Sequence, residues 1–497
     1  MPKKVVVYAE YLPADLPFHG MSGRFHLIDS LLEVVFAGIT MQITERSLNM
    51  RNFSVSEVMD SLGVNKFTWF ILVFLGMAMV FDGYDFMIVS YTMPQLAAEW
   101  GLSKALTGSL SSWSAIGLVI GGALAGNISD KVGRRKTLTF AIALYSLLTI
   151  PIYFVQSFEA FAFFRVLAGL GLGACIPLIC TIFSESTPTN RRAFFITFGM
   201  AWLVAGWVLA GVIATWLVPL FGWRICYLVG GVPFIYSIFL YFKMPESVYW
   251  LASKGRKAEA VKGLQYIEKL ATGKCTDWDA AALVVPAPPK VVGPKALFTK
   301  DYRMITAGLW ITYFCVCFIS YGIYAWIPSL MLEKGFTLTS AYSLAIAQSA
   351  AGALASVITG FVAEKIGRRW NLIVAFVYTA AAIGAVAFVG NTFSTVLAAV
   401  IFMGFGLSYA GSAITPVMAE AYPTEFRNTG VAWAQAFGRI AQIISPVVTG
   451  LVLAMGLGIA MSFLLFIIFA LLGAVATIVF VRKETKGKSL DQLATEQ

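Results

Sequence analysis

The chain has 497 residues, of which 59% are hydrophobic and only 12% are charged. This composition cannot give a soluble surface at such a length, so it excludes a soluble globular protein and predicts an integral membrane protein. The formal net charge of +10 does not indicate nucleic-acid binding, because Lys and Arg cluster in short breaks between long apolar segments. This distribution follows the positive-inside rule and places those breaks in the cytoplasm.

Residues 1–60 are predicted to form a cytoplasmic N-terminal extension. They hold both histidines, His19 and His26, and the apolar stretch LLEVVFAGI, which is too short to cross a bilayer. This segment lacks the basic flank, apolar run and small-residue cleavage site of a signal peptide. Met50 is a second candidate for the start of the chain.

Apolar segments of about 20 residues predict twelve transmembrane helices, six on each side of one polar insert. The N-terminal half covers residues 61–243 and the C-terminal half residues 303–482. The insert, residues 244–302, is rich in Lys and Arg, so we expect it in the cytoplasm with an amphipathic helix in SKGRKAEAVKGLQYIEKL and an extended linker in PAPPKVVGP. An even number of spans then places both termini, including the tail 483–497, in the cytoplasm. The predicted spans are 67–92, 106–128, 137–156, 160–184, 194–218, 224–243, 304–330, 341–363, 371–390, 394–418, 429–454 and 459–481.

The first span contains two carboxylates, Asp82 and Asp85. Ionisable residues inside a span are rare, costly and functional by default. Three residues apart, the two share one helix face and are separated by about 4.5 Å along the axis. Such a group can bind and release a proton as its surroundings change, so at least one Asp is predicted to couple transport to protons. A structural role, as a cap or in an ion pair, is the alternative.

Arg165 lies a few residues inside the fourth span, at a height similar to that of Asp85. We therefore expect the two side chains to meet. Binding of a substrate carboxylate and a purely structural role are the other interpretations of Arg165.

A long internal repeat relates the two halves. GNISDKVGRR, residues 126–135, recurs as GFVAEKIGRR, residues 360–369, and ESTPTNRRA recurs as EAYPTEFRN at the same offset of about 235 residues. Two tandem halves with a substrate site between them near the bilayer midplane are typical of secondary transporters.

The repeated motifs place charged side chains at the cytoplasmic helix ends, beside glycines that allow close helix approach and tight turns. We expect Asp130 and Glu364 to form ion pairs between neighbouring spans that exist in one conformation and break in another. Specifying topology is the alternative role. Glu185 with Arg192 and Glu420 with Arg427 are further candidates for this inner latch. The gating candidates are Gly126, Asp130, Gly133, Arg134, Arg135, Glu185, Arg192, Gly360, Glu364, Gly367, Arg368, Arg369, Glu420 and Arg427.

Arg439 lies near the middle of the eleventh span, where an uncompensated cation is very unfavourable. No Asp or Glu lies in the inner parts of the other spans of its half, so a substrate carboxylate is an attractive partner, held by two parallel hydrogen bonds. Pairing with Asp82 or Asp85, or capping of carbonyls, remains open. Aromatic and amide side chains suit a flat, partly apolar ligand, and the further substrate candidates are Tyr321, Tyr324, Trp326, Gln348 and Tyr409.

The sequence offers no metal-ligand cluster, no nucleophile with an adjacent base and no phosphate-binding loop. We therefore expect no catalytic residue, cofactor or metal, and no transport driven by ATP. The six cysteines lie mostly inside apolar runs and are expected to act as small buried hydrophobes without disulfides.

After residue 60 the chain resembles the major facilitator superfamily. The motif Gly-x3-Asp-Lys-x-Gly-Arg-Arg follows the second span and recurs, with Glu364 in place of Asp, after the eighth. Arg165 with Gly169, Gly171 and Gly173 is similar to the RxxxGxGxG motif of that superfamily. PESVYWL and ETKGKSL resemble the tags that close each half in its sugar-porter, organic-ion and aromatic-acid branches. FDGYDF and GRIAQIISP are similar to motifs of the aromatic acid:proton symporters.

The resemblance implies an all-α membrane fold of twelve transmembrane helices in two pseudo-symmetric halves, working as a monomer in the bacterial inner membrane by alternating access. It implies import of an aromatic carboxylate, such as a benzoate or hydroxybenzoate, with protons. In related sugar porters the Asp of GYD pairs with the Arg of RxxxGxGxG, and Asp85 and Arg165 match these positions. A proton-linked sugar, polyol or organic-ion carrier is the second candidate, and a membrane sensor that transports nothing is a candidate of another class.

Overall fold

The computed structural model describes residues 52–285, 293–390, 392–423, 426–481 and 484. Within them, eleven helices are long and apolar enough to cross a membrane, and a further span, Leu338–Ile366, is bent by 43° after Ser356. The predictions for residues 1–49 and Met50, for most of the PAPPKVVGP linker and for nearly all of the C-terminal tail lie outside the described residues.

The helices coincide with the predicted spans, and most extend beyond them at both ends. We number them span 1 to span 12 in chain order. In the N-terminal half they are Lys66–Trp100, Lys104–Val132, Arg134–Phe154, Phe158–Ser186, Arg192–Phe221 and Arg224–Lys243. In the C-terminal half they are Arg303–Glu333, Leu338–Ile366, Arg368–Phe388, Phe393–Glu420, Arg427–Ala454 and Gly458–Phe480.

Polar side chains fix where several spans begin. Asn65 accepts hydrogen bonds from the backbone N–H groups of Phe67 and Thr68 at the start of span 1. Ser103, Ser157 and Thr337 cap spans 2, 4 and 8 in a similar way. Such caps satisfy N–H groups that have no partner inside the helix. Helix ends therefore depend on these polar residues as well as on hydropathy.

Span 6 is broken, with the α-helices Arg224–Val229 and Pro233–Lys243 on either side of a two-glycine turn. Span 3 changes from an α-helix, Arg134–Thr149, to a 3-10 helix, Ile150–Phe154, next to Pro151. Proline cannot donate the backbone hydrogen bond that an α-helix needs at that point.

Glycines bring spans 2 and 4 into backbone contact. A Cβ added at Gly117 would collide with the carbonyl of Val166, and one at Gly173 with the carbonyl of Leu118. The glycines that follow Arg165 therefore let span 4 lie close to span 2. This packing holds Arg165 next to the middle of span 2.

The two halves are joined at one end of the bundle. We call the end with the repeated GRR sequences the motif end, and the other the far end. Ser90 donates to the carbonyls of Tyr324 and Ala325 at 2.5 and 2.9 Å, and Tyr342 donates to that of Tyr91 at 2.5 Å. Ser112 donates to Ile443 at 2.7 Å, and Lys104 forms an ion pair with Glu333.

All of these residues lie in the far-end portions of their spans. Between described residues, no hydrogen bond or ion pair joins the halves at the motif end. The bundle is therefore closed at the far end by contacts that have no counterpart among the described residues of the motif end.

The first part of the insert packs on the N-terminal half, whereas the 3-10 helix Pro294–Phe298 at its end packs against span 7. The predicted amphipathic helix is confirmed as Lys257–Thr272, which buries Ala260, Val261, Leu264 and Ile267 on one face. The chain before span 1 adds the short helix Val55–Leu62, and the two-residue strands Phe53–Ser54 and Leu283–Val284 pair in parallel.

Candidate functional site

A buried ion pair joins span 1 to span 4. Arg165 Nη1 lies 2.9 Å from Asp85 Oδ2, and Nη2 donates to the backbone carbonyl of Asp85 at 3.2 Å. Both side chains are inaccessible to solvent, with exposures of 0% and 1%. Thr149 donates to Asp85 Oδ1 at 3.0 Å, and Arg165 Nε donates to Ser114 Oγ at 2.7 Å. The structure therefore brings Asp85 and Arg165 together inside the N-terminal half.

Asp82 has a different environment from Asp85. It is 4% exposed, and no described residue forms a hydrogen bond or ion pair with it. Arg439 of span 11 is near enough to interact with it electrostatically. Asp85 thus has its ion-pair partner inside its own half. Asp82 interacts electrostatically with Arg439 of the other half but forms no ion pair with it.

A cavity lies between the two halves next to the ion pair, with about 390 Å³ of empty space that includes its open mouth. The ring centroids of Phe86 and Tyr321, one from each half, lie 5.7 Å apart, and those of Trp207 and Tyr324 lie 5.1 Å apart. Apolar and aromatic walls with a few polar groups are typical of small-ligand sites. The lining residues are Phe86, Met87, Ser90, Ser111, Ser114, Tyr321, Tyr324, Ala325, Gln442 and Pro446.

Arg439 reaches the cavity through Gln442. Its Nη1 donates to Gln442 Oε1 at 2.8 Å, and the two residues are three apart on one face of span 11. Gln442 lines the cavity and is 3% exposed, whereas Arg439 is half-buried and is not among the lining residues. No described residue accepts a hydrogen bond from Gln442 Nε2.

The structure separates the remaining substrate candidates. Tyr321 and Tyr324 line the cavity, but Trp326, Gln348 and Tyr409 do not. Trp326 donates its indole N–H to the carbonyl of Pro446 at 2.8 Å, and Tyr409 donates to Asn371 Oδ1 at 2.7 Å. Their polar groups are used in packing within the C-terminal half. Gln348 is fully buried, and no described residue hydrogen-bonds to its side-chain amide.

The prediction missed Gln442 and the lining residues of spans 1 and 2. Gln442 belongs to the GRIAQIISP motif and lies on the same helix face as Arg439, which was the available signal. The serines carried no comparable signal, because serine is common in membrane helices.

The motif end of the N-terminal half holds a network of ionic contacts. Arg134 contacts Asp130 at 2.5 Å and Glu185 of span 4 at 3.3 Å. Glu246, a residue the prediction missed, accepts hydrogen bonds from the backbone N–H groups of Arg134 and Arg135 at 2.8 and 3.0 Å. A carboxylate at a helix N-terminus is stabilising, so Glu246 ties the insert to the start of span 3.

The C-terminal half repeats most of this network. Arg368 contacts Glu420 of span 10 at 3.3 Å, and Glu484 accepts from the backbone N–H groups of Arg368 and Arg369 at 2.7 and 3.2 Å. Glu484 was also missed, although it and Glu246 both stand in the tags that close each half. Glu364 departs from the pattern, because it is exposed and no described residue forms an ion pair with it.

Other gating candidates differ from expectation. Glu185 bonds to Arg134 and not to Arg192, whose Nε has no hydrogen-bond partner among the described residues. Arg427 donates to the carbonyl of Tyr422 at 3.4 Å. An added Cβ at Gly126 or Gly360 would meet no atom within 4 Å, so neither marks a close helix contact in this conformation.

Gly133 and Gly367 do form the expected tight turns. They lie between spans 2 and 3 and between spans 8 and 9, with φ of 113° and 94°. Side chains other than glycine rarely adopt this backbone region. Among the described residues no metal-ligand cluster is found, and the six cysteines are free.

Two halves of membrane-spanning helices enclose an aromatic-lined cavity, with a buried ion pair on one side and a cation on the other. This arrangement defines a membrane transporter with its site between two repeats.

The chain belongs to the Major Facilitator Superfamily, whose family model matches residues 75–352 and 309–496. It is therefore a transporter and not an enzyme.

Relatives from bacteria align along most of the chain. The gallate transporter of Pseudomonas putida is 31% identical over 414 residues, which are 83% of this chain and 91% of that protein. The niacin transporter NiaP of Acinetobacter baylyi is 30% identical over 87% of this chain and 98% of its own. The 4-hydroxybenzoate transporter PcaK of the same organism is 29% identical over 88% of this chain and 95% of its own.

Solved structures share the fold at lower identity. The xylose transporter XylE from E. coli, in a partially occluded inward-open conformation, matches with a TM-score of 0.68 and 20% identity over 85% of this chain and 99% of that one. A bacterial homologue of the lysosomal transporter Spinster, inward-facing and occupied, matches with a TM-score of 0.65 and 16% identity over 84% of this chain and 98% of that one.

Proposed function

We propose that this protein is a proton-coupled symporter that imports an aromatic carboxylate across the bacterial inner membrane. The observation that carries the proposal is the position of the cavity, which lies between the Asp85–Arg165 pair and the Arg439–Gln442 pair. One pair can hold and release a proton, and the other can hold an anion. The relatives named for gallate and 4-hydroxybenzoate transport support the same substrate class.

The aromatic ring of the substrate would lie against Phe86, Tyr321 and Tyr324. Aromatic side chains interact favourably with another ring in edge-to-face or offset arrangements. Because Phe86 belongs to span 1 and Tyr321 to span 7, and their rings are in edge contact, a substrate ring that packs against both contacts both halves of the transporter. Substrate binding would in this way favour the conformation in which the two halves close around it.

The carboxylate would lie towards Arg439. A cation at this depth is costly without a counter-ion, and Asp82, the acid with which Arg439 interacts, forms no ion pair with it. Negative charge on the substrate would stabilise Arg439 more than a neutral sugar could. This argument favours the aromatic acid over a neutral sugar or polyol, and the aromatic walls of the cavity favour it over an organic ion without a ring.

Ser114 supplies a direct link between substrate and proton. It lines the cavity, and its hydroxyl accepts a hydrogen bond from Arg165, which in turn holds Asp85. Protonation removes the charge of Asp85 and weakens its ion pair with Arg165. Arg165 is then free to shift, and this shift changes the cavity wall at Ser114. Proton uptake and substrate binding would thus affect each other reciprocally, as linked binding equilibria require.

The motif end would face the cytoplasm, because the basic residues of the motifs follow the positive-inside rule. Both chain termini would then also be cytoplasmic, and the observed conformation would be closed on the outer side. The Arg134–Glu185 and Arg368–Glu420 contacts would act as gates, changing partners when the inner ends of the two halves come together. Alternation between these two conformations moves the substrate past a fixed central site.

Uptake into proteoliposomes tests the proposal. The purified protein is reconstituted, and uptake of labelled benzoate, 4-hydroxybenzoate, gallate, nicotinate and xylose is followed with and without an imposed pH gradient, acidic outside. We expect at least one aromatic acid to accumulate above its external concentration only when the gradient is present, and a protonophore to abolish this accumulation. Accumulation of xylose alone, or of an acid at the same level without a gradient, would contradict the proposal.

A further inference from the structure

The amide of Gln442 has a defined orientation. Arginine carries hydrogen-bond donors and no acceptor, so the Gln442 atom 2.8 Å from Arg439 Nη1 must be the amide oxygen. The NH₂ group is therefore held on the other side of the amide plane. It is a buried donor without a partner in the described part of the chain, and its side chain lines the cavity and is 3% exposed.

Buried polar groups in proteins are nearly always hydrogen-bonded. A buried N–H without an acceptor is unfavourable, and a ligand that brings an acceptor removes this cost. The donor stands on the wall of the cavity that already contains the rings of Phe86 and Tyr321. Its position fits a ligand whose ring packs against these side chains and whose polar group reaches span 11.

We infer that Gln442 is the direct hydrogen-bond donor to the substrate carboxylate, and that Arg439 acts on the substrate through Gln442. This inference rests on the proposed function and adds the residue that distinguishes acids from neutral analogues. The positive charge of Arg439 polarises the amide and makes its N–H a stronger donor to an anion. Arg439 need not leave its place behind Gln442 to contribute to binding.

Reversing the polarity of this one side chain should reverse the preference for ligands. In Gln442→Glu, one carboxylate oxygen pairs with Arg439 and the other presents an acceptor to the cavity. A benzoate anion then meets a like charge and an acceptor, whereas the NH₂ group of benzamide meets a suitable acceptor. A residue that only supports the packing of span 11 would affect both ligands alike.

The test measures the affinities of benzoate and benzamide for the purified full-length protein by calorimetry, in the wild type and in Gln442→Glu, Gln442→Met and Gln442→Asn. Gln442→Met, which keeps the size and removes the donor, should weaken benzoate binding roughly 10- to 100-fold, the effect of one hydrogen bond to a charged group. Gln442→Asn, which keeps the donor on a shorter side chain, should recover part of that loss. Gln442→Glu should bind benzamide better than benzoate. The control is Gln435→Met, at an exposed glutamine of the same helix. This variant should bind both ligands as the wild type does.

Wild-type benzoate affinity in Gln442→Met would overturn the inference, and so would equal losses of both ligands in Gln442→Glu. Failure of the proposed function looks different, because the wild-type protein itself would then bind none of benzoate, 4-hydroxybenzoate, gallate and nicotinate. Gln442→Asn keeps the test decisive if Gln442→Met does not fold, since an affinity for benzoate equal to the wild type would then contradict the need for a precisely placed donor.

Discussion

The two halves of the molecule share a scaffold but place different chemistry on it at the centre of the membrane. Arg165 precedes Gly169 and Gly171 in span 4, and Val400 precedes Gly404 and Gly406 by the same four and six residues in span 10. The glycines allow close packing in both halves. Only the N-terminal half carries a charge at this position, since the residue is Arg165 in span 4 and Val400 in span 10.

The partner position in the neighbouring span shows the consequence. Ser114 lies three residues before Gly117 and accepts a hydrogen bond from Arg165, whereas Ser349 lies three residues before Gly352 and donates to the carbonyl of Ala345 in its own helix at 3.1 Å. Val400 offers Ser349 no donor. The same serine therefore belongs to an ionic network in one half and has a local bond in the other.

This difference indicates that the two halves of the duplicated fold have different roles. The N-terminal half pairs Arg165 with Asp85 internally, so that this pair can respond to a proton without a ligand. Among the residues that line the cavity, the C-terminal half supplies the one with a buried polar group that has no partner among the described residues, the amide N–H of Gln442. Groups of that kind are suited to a partner from outside the protein.

The largest expected effect comes from making span 4 like span 10. Arg165→Val leaves Asp85 buried without its cation, and loss of one partner of a buried ion pair costs about 3 to 5 kcal/mol. We expect a matching fall in the free energy of unfolding, and recovery of most of it in Asp85→Leu with Arg165→Val, measured by denaturant titration in detergent. Arg191→Val, at an exposed arginine, is the control. An Arg165→Val protein as stable as the wild type would show that the two halves do not differ in this way.

A smaller effect is expected in the C-terminal half. Arg439→Ala should weaken binding of the aromatic acid by about 2 to 3 kcal/mol, since the substrate loses a cation near its carboxylate. Arg439→Lys keeps the charge without the planar donor pair and should recover only part of the affinity. Calorimetry at several pH values is the appropriate measurement, with the methyl ester of the acid as a neutral competitor. If Arg439→Ala binds the acid as the wild type does at every pH, Arg439 is not part of the anion site.

The smallest expected effect distinguishes the two halves at the motif end. Asp130 contacts Arg134, whereas Glu364 is exposed and unpaired among the described residues. Asp130→Ala should therefore slow transport by at most about fivefold, equivalent to ~1 kcal/mol for an exposed ion pair, and leave binding unchanged. Glu364→Ala should transport at the wild-type rate. The measurement is the initial rate of uptake. Equal slowing in both variants would show that the two halves act alike at the motif end.

Much of the fold could be predicted from the sequence, because twelve apolar segments of membrane length admit few arrangements. The ends of the spans were less predictable. Span 1 runs to Trp100, well beyond the predicted end at residue 92, because the hydropathy of the sequence decreases before the helix ends. The break in span 6 depends on Gly230, Gly231 and Pro233, which an apolar average does not detect.

The site was predictable where charge marks it. The contact between Asp85 and Arg165 followed from two rare charges at equal depth. Which residues line the cavity depends on the rotation of each helix about its axis, and this is fixed by packing. For that reason Trp326, a predicted substrate residue, does not line the cavity, and Gln442, an uncharged residue that does, was missed. Glu246 was missed because its contact with Arg134 joins residues 112 positions apart.

The central claim is that the ion pair in the N-terminal half couples protons to transport, and Asp85→Asn tests it most directly. Asparagine resembles the protonated acid and cannot release a proton. Substrate uptake and proton movement are measured in the same proteoliposomes, with Glu364→Ala as the control that should behave like the wild type. We predict that Asp85→Asn exchanges labelled for unlabelled aromatic acid but neither moves protons with it nor concentrates it under an imposed pH gradient. Accumulation of the acid by Asp85→Asn against its own gradient would contradict the claim.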